Sequence, residues 1–424
     1  MKEDFLHYLW KFQKFNTLDF FSTNQKPIQV INQGFHNQEK PGPDFFNAQL
    51  IIDSQKWAGN VEIHLKSSDW YAHNHHNDLN YDSVILHVVW EDDVSVFRSD
   101  ESQIPSLELK PYVDANLVTN YQSLIYNNKS WLKCSNSIAN VSSFEWGNWL
   151  ERLYFERLEH KIKPINSLLN SNTNDWEATL FCLLAKSFGG NINGDIFFKM
   201  AQSFPYAIIR KATKVIEVEA LFMGQLNMLD VDTNDAYEKE LILSYQFLKS
   251  KYSLKPLVEG KPQFFRLRPN NFPTIRLSQL AVLVVNSKSI FSSLASDFSF
   301  DNFKNSIKVG VSEYWITHFT FGKESKLSSK KVSNSFCQVV YINSITPLMF
   351  LYRKLNTQEF DTYTAILNEL IGLSKENNSK VKVLEDSGVC VKNSMESQAI
   401  LTLYSDYCTK GRCLSCKVVN QVVS

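Results

Sequence analysis

The chain has 424 residues and a hydrophobic content of 44%, enough to form the cores of two or three domains. Its 44 basic and 44 acidic residues give a net charge of zero, so it lacks the overall positive charge of a dedicated DNA-binding protein, and only a local basic groove could contact nucleic acid. It has no run of eighteen apolar residues, and its start carries acids without a long apolar core, so we expect no membrane span, no secretory signal and a cytoplasmic location.

The first part of the chain alternates between helix and strand patterns. Phe5, Leu9 and Phe12 recur at helical spacing, which predicts an amphipathic helix near the start. Three strand patterns follow, then a short linking segment and a fourth strand whose continuous apolar run is typical of burial on both faces. The four predicted strands cover residues 27–35, 47–53, 61–66 and 84–90.

Helical patterns dominate the rest of the chain. Residues 111–126 predict a helix that leads out of the first domain, and residues 127–130 form a polar break. From residue 144 onward the apolar residues recur with helical periodicity. We therefore predict the fold class α/β plus all-α, with a mixed-sheet domain and flanking helices over residues 1–130 and a mostly helical domain with a cysteine-rich end over residues 131–424.

Five of the nine histidines fall between positions 64 and 87, in a segment that also contains acidic residues. The third predicted strand alternates strictly between apolar and polar residues, so Glu62, His64 and Lys66 project from one face. Polar groups within a core need partners, because an unpaired buried polar atom costs free energy. This face is therefore the first candidate for chemistry.

The order of helix, three strands, linking segment and strand resembles the PD-(D/E)XK nuclease superfamily, because Asp44 follows a proline before the second strand and Glu62 lies on the third. The resemblance implies a restriction-endonuclease-like fold in which Asp44 and Glu62 bind Mg²⁺ or Mn²⁺. His64 occupies the lysine position of the motif, and Lys66 follows one strand period later, so either would position or activate water. The implied function is metal-dependent phosphodiester hydrolysis of DNA or RNA.

Two other interpretations fit the same segment. The departure at His64 and the neutral net charge favour a non-catalytic protein that keeps a nuclease-like fold as a binding or scaffold module. Imidazoles favour Zn²⁺, so Glu62, His64, His87 and a loop histidine could instead form a zinc hydrolase site for a small substrate. His87 lies in an apolar strand, where a structural histidine bonded to a backbone carbonyl is also expected. The remaining histidines of the segment lie in a polar stretch typical of a solvated loop: His73, His75 and His76.

A proline-bounded loop carries Arg266, Arg268 and Arg276. Guanidinium groups suit phosphate oxygens, so these arginines are candidate phosphate-binding residues. The structural alternative is a clamp in which Arg276 lies at the start of the following helix.

The cysteines form a second candidate metal site. Seven cysteines, an odd number, in a chain without an export signal indicate reduced thiols or metal ligands rather than disulfides. Cys408, Cys413 and Cys416 lie close enough in sequence for their thiolates to converge on zinc or an iron–sulfur cluster, with Cys390 or Cys134 as fourth ligand. Some nucleases of the PD-(D/E)XK type bind an iron–sulfur cluster through one early and three late cysteines, although their spacing differs. Three free thiols are the alternative.

Several short motifs together resemble a bacterial family of unknown function, domain-of-unknown-function family 2851. The resemblance implies a bacterial cytoplasmic origin and no particular activity, and the sequence leaves the oligomeric state open. The motifs are GPDF at 42–45, VEIH at 61–64, HVVW at 87–90, RPNNFP at 268–273 and YCTKGRCLSC at 407–416.

Overall fold

A computed structural model describes residues 1–17, 19–37, 41–126, 131–258, 260–356 and 359–423. The chain divides into two compact units. The sheet unit comprises Met1–Leu150, Asn377–Val391 and Ile400–Ser424, and the helical unit comprises Glu151–Glu376 and Lys392–Ala399. The polar break predicted at residues 127–130 lies outside the described residues. The cysteine-rich end of the chain belongs to the sheet unit.

The strands of the sheet unit form one mixed sheet in the order β1-β2-β4-β5-β6-β7, with β3 paired to β4. A further small sheet, β8-β9, lies in the helical unit. The strands are β1 (Phe20–Phe21), β2 (Pro27–Asn32), β3 (Phe35–His36), β4 (Phe45–Ile52), β5 (Gln55–Lys66), β6 (Val84–Glu91), β7 (Ser106–Glu108), β8 (His318–Thr320) and β9 (Lys323–Glu324).

Helices make up most of the remaining chain. They are α1 (Glu3–Phe12), α2 (Asp69–Ala72), α3 (Ala115–Tyr126), α4 (Ser143–Ser171), α5 (Trp176–Gln202), α6 (Ala207–Lys211), α7 (Val215–Gln225), α8 (Ala236–Tyr252), α9 (Pro273–Asn286), α10 (Ile290–Ser296), α11 (Phe300–Ile307), α12 (Glu313–Thr317), α13 (Asn334–Val340), α14 (Thr346–Asn356), α15 (Glu359–Ile371), α16 (Ser379–Asp386), α17 (Ser394–Thr402) and α18 (Lys417–Val423). Short 3₁₀ or π turns connect several of them. The prediction of a mixed sheet followed by a mostly helical region is confirmed.

The sheet changes direction at β5. Strands β2, β4 and β5 pair antiparallel, and β4 and β5 are joined by Asp53 and Ser54, both with positive φ as a tight two-residue hairpin requires. Strand β6 pairs parallel to β5, so the chain must cross over before it re-enters the sheet. The crossover consists of α2, which contacts β5, and two 3₁₀ turns, the first of which contacts α2.

Helix α1 packs against β5 and completes the core of the sheet unit. Phe5 and Leu9 are fully buried, as are Val61 and Ile63 on β5. Two residues of the predicted apolar stripe, Phe5 and Leu9, therefore lie in the core, whereas the third, Phe12, is exposed. The polar residues of α1 remain available for other contacts, which become important at the candidate site.

The helical unit has its own core, built from helices such as α5, α7 and α9 that contact one another. Gly190 has φ 62° and ψ −158°, which breaks the regular conformation within α5. Among the helices described, none is by itself long and apolar enough to cross a membrane, although the bent pair α9 and α10 meets that criterion jointly.

Candidate metal centre and cysteine-lined pocket

Asp44 and Glu62 are close in space, and each carboxylate accepts a hydrogen bond from a backbone N–H at or next to the other residue. The backbone N–H of Asp44 donates to Glu62 Oε2 at 3.0 Å, and the N–H of Ile63 donates to Asp44 Oδ2 at 2.9 Å. Asp44 directly precedes β4, which pairs with β5, so these two hydrogen bonds fix both carboxylates at one end of the β4–β5 pair. The two residues that the nuclease resemblance singles out are thus close in space, and their binding of one shared metal ion stays a prediction.

The polar face of β5 is buried rather than solvated. Glu62 is 5% exposed and His64 is 1% exposed. On the neighbouring parallel strand, His87 is the register partner of Glu62, and its Nε2 lies 2.8 Å from His64 Nδ1. A histidine that binds a metal usually has its second ring nitrogen held by a neighbour, and His87 provides this for His64.

The crossover between β5 and β6 covers this face with two more histidines. Asn74 adopts φ 64° and ψ 25°, a left-handed conformation that asparagine tolerates, and this sharp turn separates His73 from His75. Trp70 is fully buried and its ring contacts those of His75 and His87, which anchors the turn over the sheet. His73 is exposed, as expected of a solvated loop, and His75 is partly buried, yet the rings of both lie beside that of the buried His64.

His64, His73 and His75 offer one nitrogen each, and all three atoms lie within 4.8 Å of one another. His64 Nε2 is 3.1 Å from His73 Nδ1, and Glu62 Oε1 is 3.6 Å from His64 Nε2 and 3.5 Å from His75 Nε2. Nitrogen ligands about 2.0–2.1 Å from a tetrahedral zinc ion are about 3.3–3.4 Å apart. The three imidazoles therefore have the spacing of a metal centre, and the Glu62 carboxylate lies close to two of them. These four residues are here called the histidine cluster.

Burial controls the protonation of His64, His75 and Glu62. Burial and neighbouring imidazoles lower the pKa of His64 to about 2, and burial lowers that of His75 to about 4, so both rings are neutral and can donate a lone pair. Burial and the charge of Asp44 raise the pKa of Glu62 to about 9. A bound cation would oppose this shift and favour the carboxylate.

A second group of candidate ligands adjoins the cluster at Asp44. Glu3 and His7 on α1 lie close to Asp44, with His7 Nε2 3.2 Å from Asp44 Oδ2 and 3.7 Å from Glu3 Oε1. Burial opposes protonation of His7, but the hydrogen bond and charge of Asp44 outweigh it and raise the pKa of His7 above its usual value. Glu3 and His7 were not predicted as site residues, although their i, i+4 spacing on the polar side of α1 was a usable signal in the sequence.

Lys66 takes no part in the described contacts of the cluster. Its ammonium lies 3.5 Å from Glu91 Oε2, and its side chain is 52% exposed. Strand parity alone predicted that Lys66 and Glu62 project from the same face, but Lys66 lies at the end of β5, where its side chain pairs across to β6. The nitrogen groups beside Glu62 are instead His64 and His75.

The three predicted phosphate-binding arginines belong to the helical unit and differ from one another. Arg266 and Arg268 are exposed. Arg276 lies in the first turn of α9 and donates to Asn271 Oδ1 at 2.6 Å and to Gln279 Oε1 at 2.9 Å. These bonds favour the structural interpretation for Arg276.

The cysteine trio lines a pocket within the sheet unit. Cys408, Cys413 and Cys416 line this pocket together with Cys134. Cys390 is exposed and is not among the residues that line it. The structure therefore brings Cys134 to the trio as the fourth cysteine. Burial raises the pKa of the thiols of Cys134 and Cys416 to about 12 and about 11.

Comparison with known proteins identifies a family but no activity. No curated protein and no solved structure matches the chain. A family model described as "Protein of unknown function (DUF2851)" matches residues 3–379, and the cysteine motif at 407–416 lies beyond that range. The match includes the residues of the other four motifs, at 42–45, 61–64, 87–90 and 268–273. The chain thus belongs to the DUF2851 family, as its motifs predicted.

Proposed function

We propose that the protein is a metal-dependent hydrolase of phosphodiester bonds in DNA or RNA, with its metal held at the histidine cluster. The observation that carries the proposal is the approach of three imidazoles to ligand-like distances over β5, with the Glu62 carboxylate 3.6 Å from His64 and 3.5 Å from His75. The order of α1, three antiparallel strands, a helical crossover and a parallel strand supports a restriction-endonuclease-like fold and therefore the nucleic-acid substrate. That second argument is an analogy of fold.

The donor set bears on the choice of metal. Carboxylates alone suit Mg²⁺, whereas imidazoles suit Zn²⁺, and Mn²⁺ accepts both types of ligand. His64, His73 and His75 therefore favour Zn²⁺ or Mn²⁺ over the Mg²⁺ that the motif of Asp44 and Glu62 alone would predict. His73 is exposed, so the cluster has one side open to solvent and substrate.

The residues of the site have distinct roles in this proposal. A bound ion would supply positive charge for the scissile phosphate and lower the pKa of a water molecule. Glu62, His64, His73 and His75 hold that ion, and His87 keeps the ring of His64 in place through its 2.8 Å contact. The Asp44 carboxylate is 20% exposed beside the cluster. We assign it the role of general base, which accepts a proton from the attacking water.

A nuclease assay with matched variants tests the proposal. Purified protein should cleave plasmid DNA, single-stranded DNA or RNA with Mn²⁺ or Zn²⁺, and Glu62→Gln should lower the rate by about 100-fold or more because it weakens the metal site. Glu91→Gln is the control, because Glu91 lies at the exposed end of the neighbouring strand. Equal rates for wild type and Glu62→Gln would contradict the assignment.

Hydrolysis of a small substrate by the same centre is a second candidate, favoured by the three imidazoles. A small activated phosphodiester distinguishes the two functions. Cleavage of that ester without cleavage of any nucleic acid would support the small substrate. Absence of hydrolysis with every metal and substrate would favour a non-catalytic binding module.

A further inference from the structure

The pocket at the end of the chain presents a second, separate donor set. Cys134 comes from a turn-rich segment after α3. Three further cysteines come from the segment before α18: Cys408, Cys413 and Cys416. All four line the same pocket, whose other walls include the apolar side chains of Leu132, Ile138 and Leu403. Four thiols around one apolar space form a ligand set without a role in the proposed hydrolysis.

We infer that Cys134, Cys408, Cys413 and Cys416 hold an iron–sulfur cluster. Four cysteine thiolates are the usual ligands of both [2Fe–2S] and [4Fe–4S] clusters. The inference does not rest on the proposed hydrolase function, because none of the four cysteines belongs to the histidine cluster.

The spacing of the sulfur atoms favours a cluster over a single ion. Four thiolates bound to one zinc ion at about 2.3 Å must lie about 3.8 Å from one another. In the described part of the chain, no three cysteine sulfurs lie within 4.8 Å of one another, although four line one pocket. A cluster occupies the space between its ligands and holds the sulfurs farther apart, which suits four cysteines that line one pocket without converging on a point.

Two features of the surroundings suit thiolate ligands. The backbone N–H groups of Val418 and Val419 and the indole of Trp149 favour the thiolate of Cys416, against the burial that raises the pKa of this thiol. Such donors to ligating sulfurs stabilise a cluster and tune it. Lys133 also lines the pocket, so its positive charge offsets part of the negative charge of four thiolates.

The cluster would be structural. The 3₁₀ turn Cys413–Ser415 contacts α1, and α18 contacts α3. Phe5 of α1 stacks on Tyr121 of α3 with ring centroids 4.0 Å apart. A cluster that joins Cys134 to the C-terminal segment would therefore hold together the elements that pack beside α1.

Elemental and spectroscopic analysis tests the inference. Full-length protein, purified without oxygen and without tag histidines, should contain iron and acid-labile sulfide in equal amounts and show visible absorption. Cys134→Ser and Cys413→Ser should each lose most of the iron and the absorption. Cys390→Ser is the matched control, because Cys390 is exposed in the same unit, and it should keep both.

Reconstitution of the wild-type chain guards against a variant that fails to fold. Ferrous iron and sulfide under reducing conditions should restore the visible absorption of wild-type protein stripped of metal. A single zinc ion per chain, a chain that stays colourless after reconstitution, or loss of iron from Cys390→Ser but not from Cys134→Ser would each overturn the inference.

Discussion

The histidine cluster and the cysteine pocket lie in the same unit, yet they are built differently. Glu62 and His64 are two residues apart on one strand, and His73 and His75 follow within the same crossover. The cluster is therefore local in sequence and is held by a rigid sheet. Its donors already lie at distances that suit one ion.

The cysteine pocket depends on distant parts of the chain. Cys134 must meet a trio that follows more than two hundred residues later, and the walls between the thiols are apolar. Its sulfurs are spread around a space rather than gathered at a point. The sheet thus preorganises the histidine cluster, whereas the cysteine pocket takes its final geometry from the group that it binds.

The largest effect should follow from removal of one ligand of the histidine cluster. His75→Ala should weaken Zn²⁺ or Mn²⁺ binding by about 100-fold or more, roughly 2.7 kcal/mol, because it leaves two imidazoles and Glu62. His76→Ala is the matched control, because His76 is the adjacent residue and lies outside the cluster. Calorimetric titration with each metal measures both. Similar losses in the two variants would show that the metal does not bind as proposed.

A smaller effect should follow from loss of the residue behind His64. His87→Gln should reduce metal affinity by about 10- to 100-fold, because partners of metal ligands orient them. Metal titration measures this, with His160→Gln as control, since His160 is exposed in the helical unit. An unchanged affinity in His87→Gln would mean that His64 needs no support or does not bind the ion.

The cysteine pocket should affect stability rather than hydrolysis. Cys413→Ser should lower the melting temperature by several degrees, because the ligand binds only the folded chain. Cys390→Ser should leave the melting temperature close to that of wild type. A rate of hydrolysis that falls in Cys413→Ser while the melting temperature does not would reverse the roles assigned to the two regions.

The metal-free chain should lose stability at opposite ends of the pH range. Burial lowers the pKa of His87 from 6.5 to about 3, so the unfolded chain alone binds this proton and stability falls as the pH drops from 6.5 towards 3. Burial raises the pKa of Cys134 from 9.0 to about 12, so the folded chain alone keeps this proton and stability falls as the pH rises from 9 towards 12. Denaturant unfolding at a series of pH values measures both losses of stability. His87→Gln should reduce the loss at acid pH, and Cys134→Ser should reduce the loss at alkaline pH. Part of the loss at acid pH should remain in His87→Gln, because the pKa values of His64 and His75 are lowered as well, but a loss as large as in wild type would contradict the assignment.

Much of the sheet was predictable, because its signals are local. The period of two in β5 placed Glu62 and His64 on one face, and the apolar run of β6 predicted the buried strand that carries His87. The element order followed from these patterns. The full lengths of β4 and β5 did not, because β5 begins before the strictly alternating residues.

The rest of the site depended on contacts that periodicity does not encode. His73 and His75 lie in a short irregular crossover whose path is set by Asn74 and by the packing of Trp70. Glu3 on α1 reaches the site only because that helix packs on β5. Cys134 and Cys390 were equally plausible partners of the cysteine trio in sequence, and only the tertiary fold distinguishes them.

The most direct test of the central claim is an anomalous difference map from crystals of the protein soaked in Zn²⁺ or Mn²⁺. The account predicts a peak bonded to His64 Nε2, His73 Nδ1, His75 Nε2 and a Glu62 oxygen, within about 2.0–2.2 Å of each for zinc. A map without a peak among these atoms, or with the ion bound only at Glu3, His7 and Asp44, would contradict it.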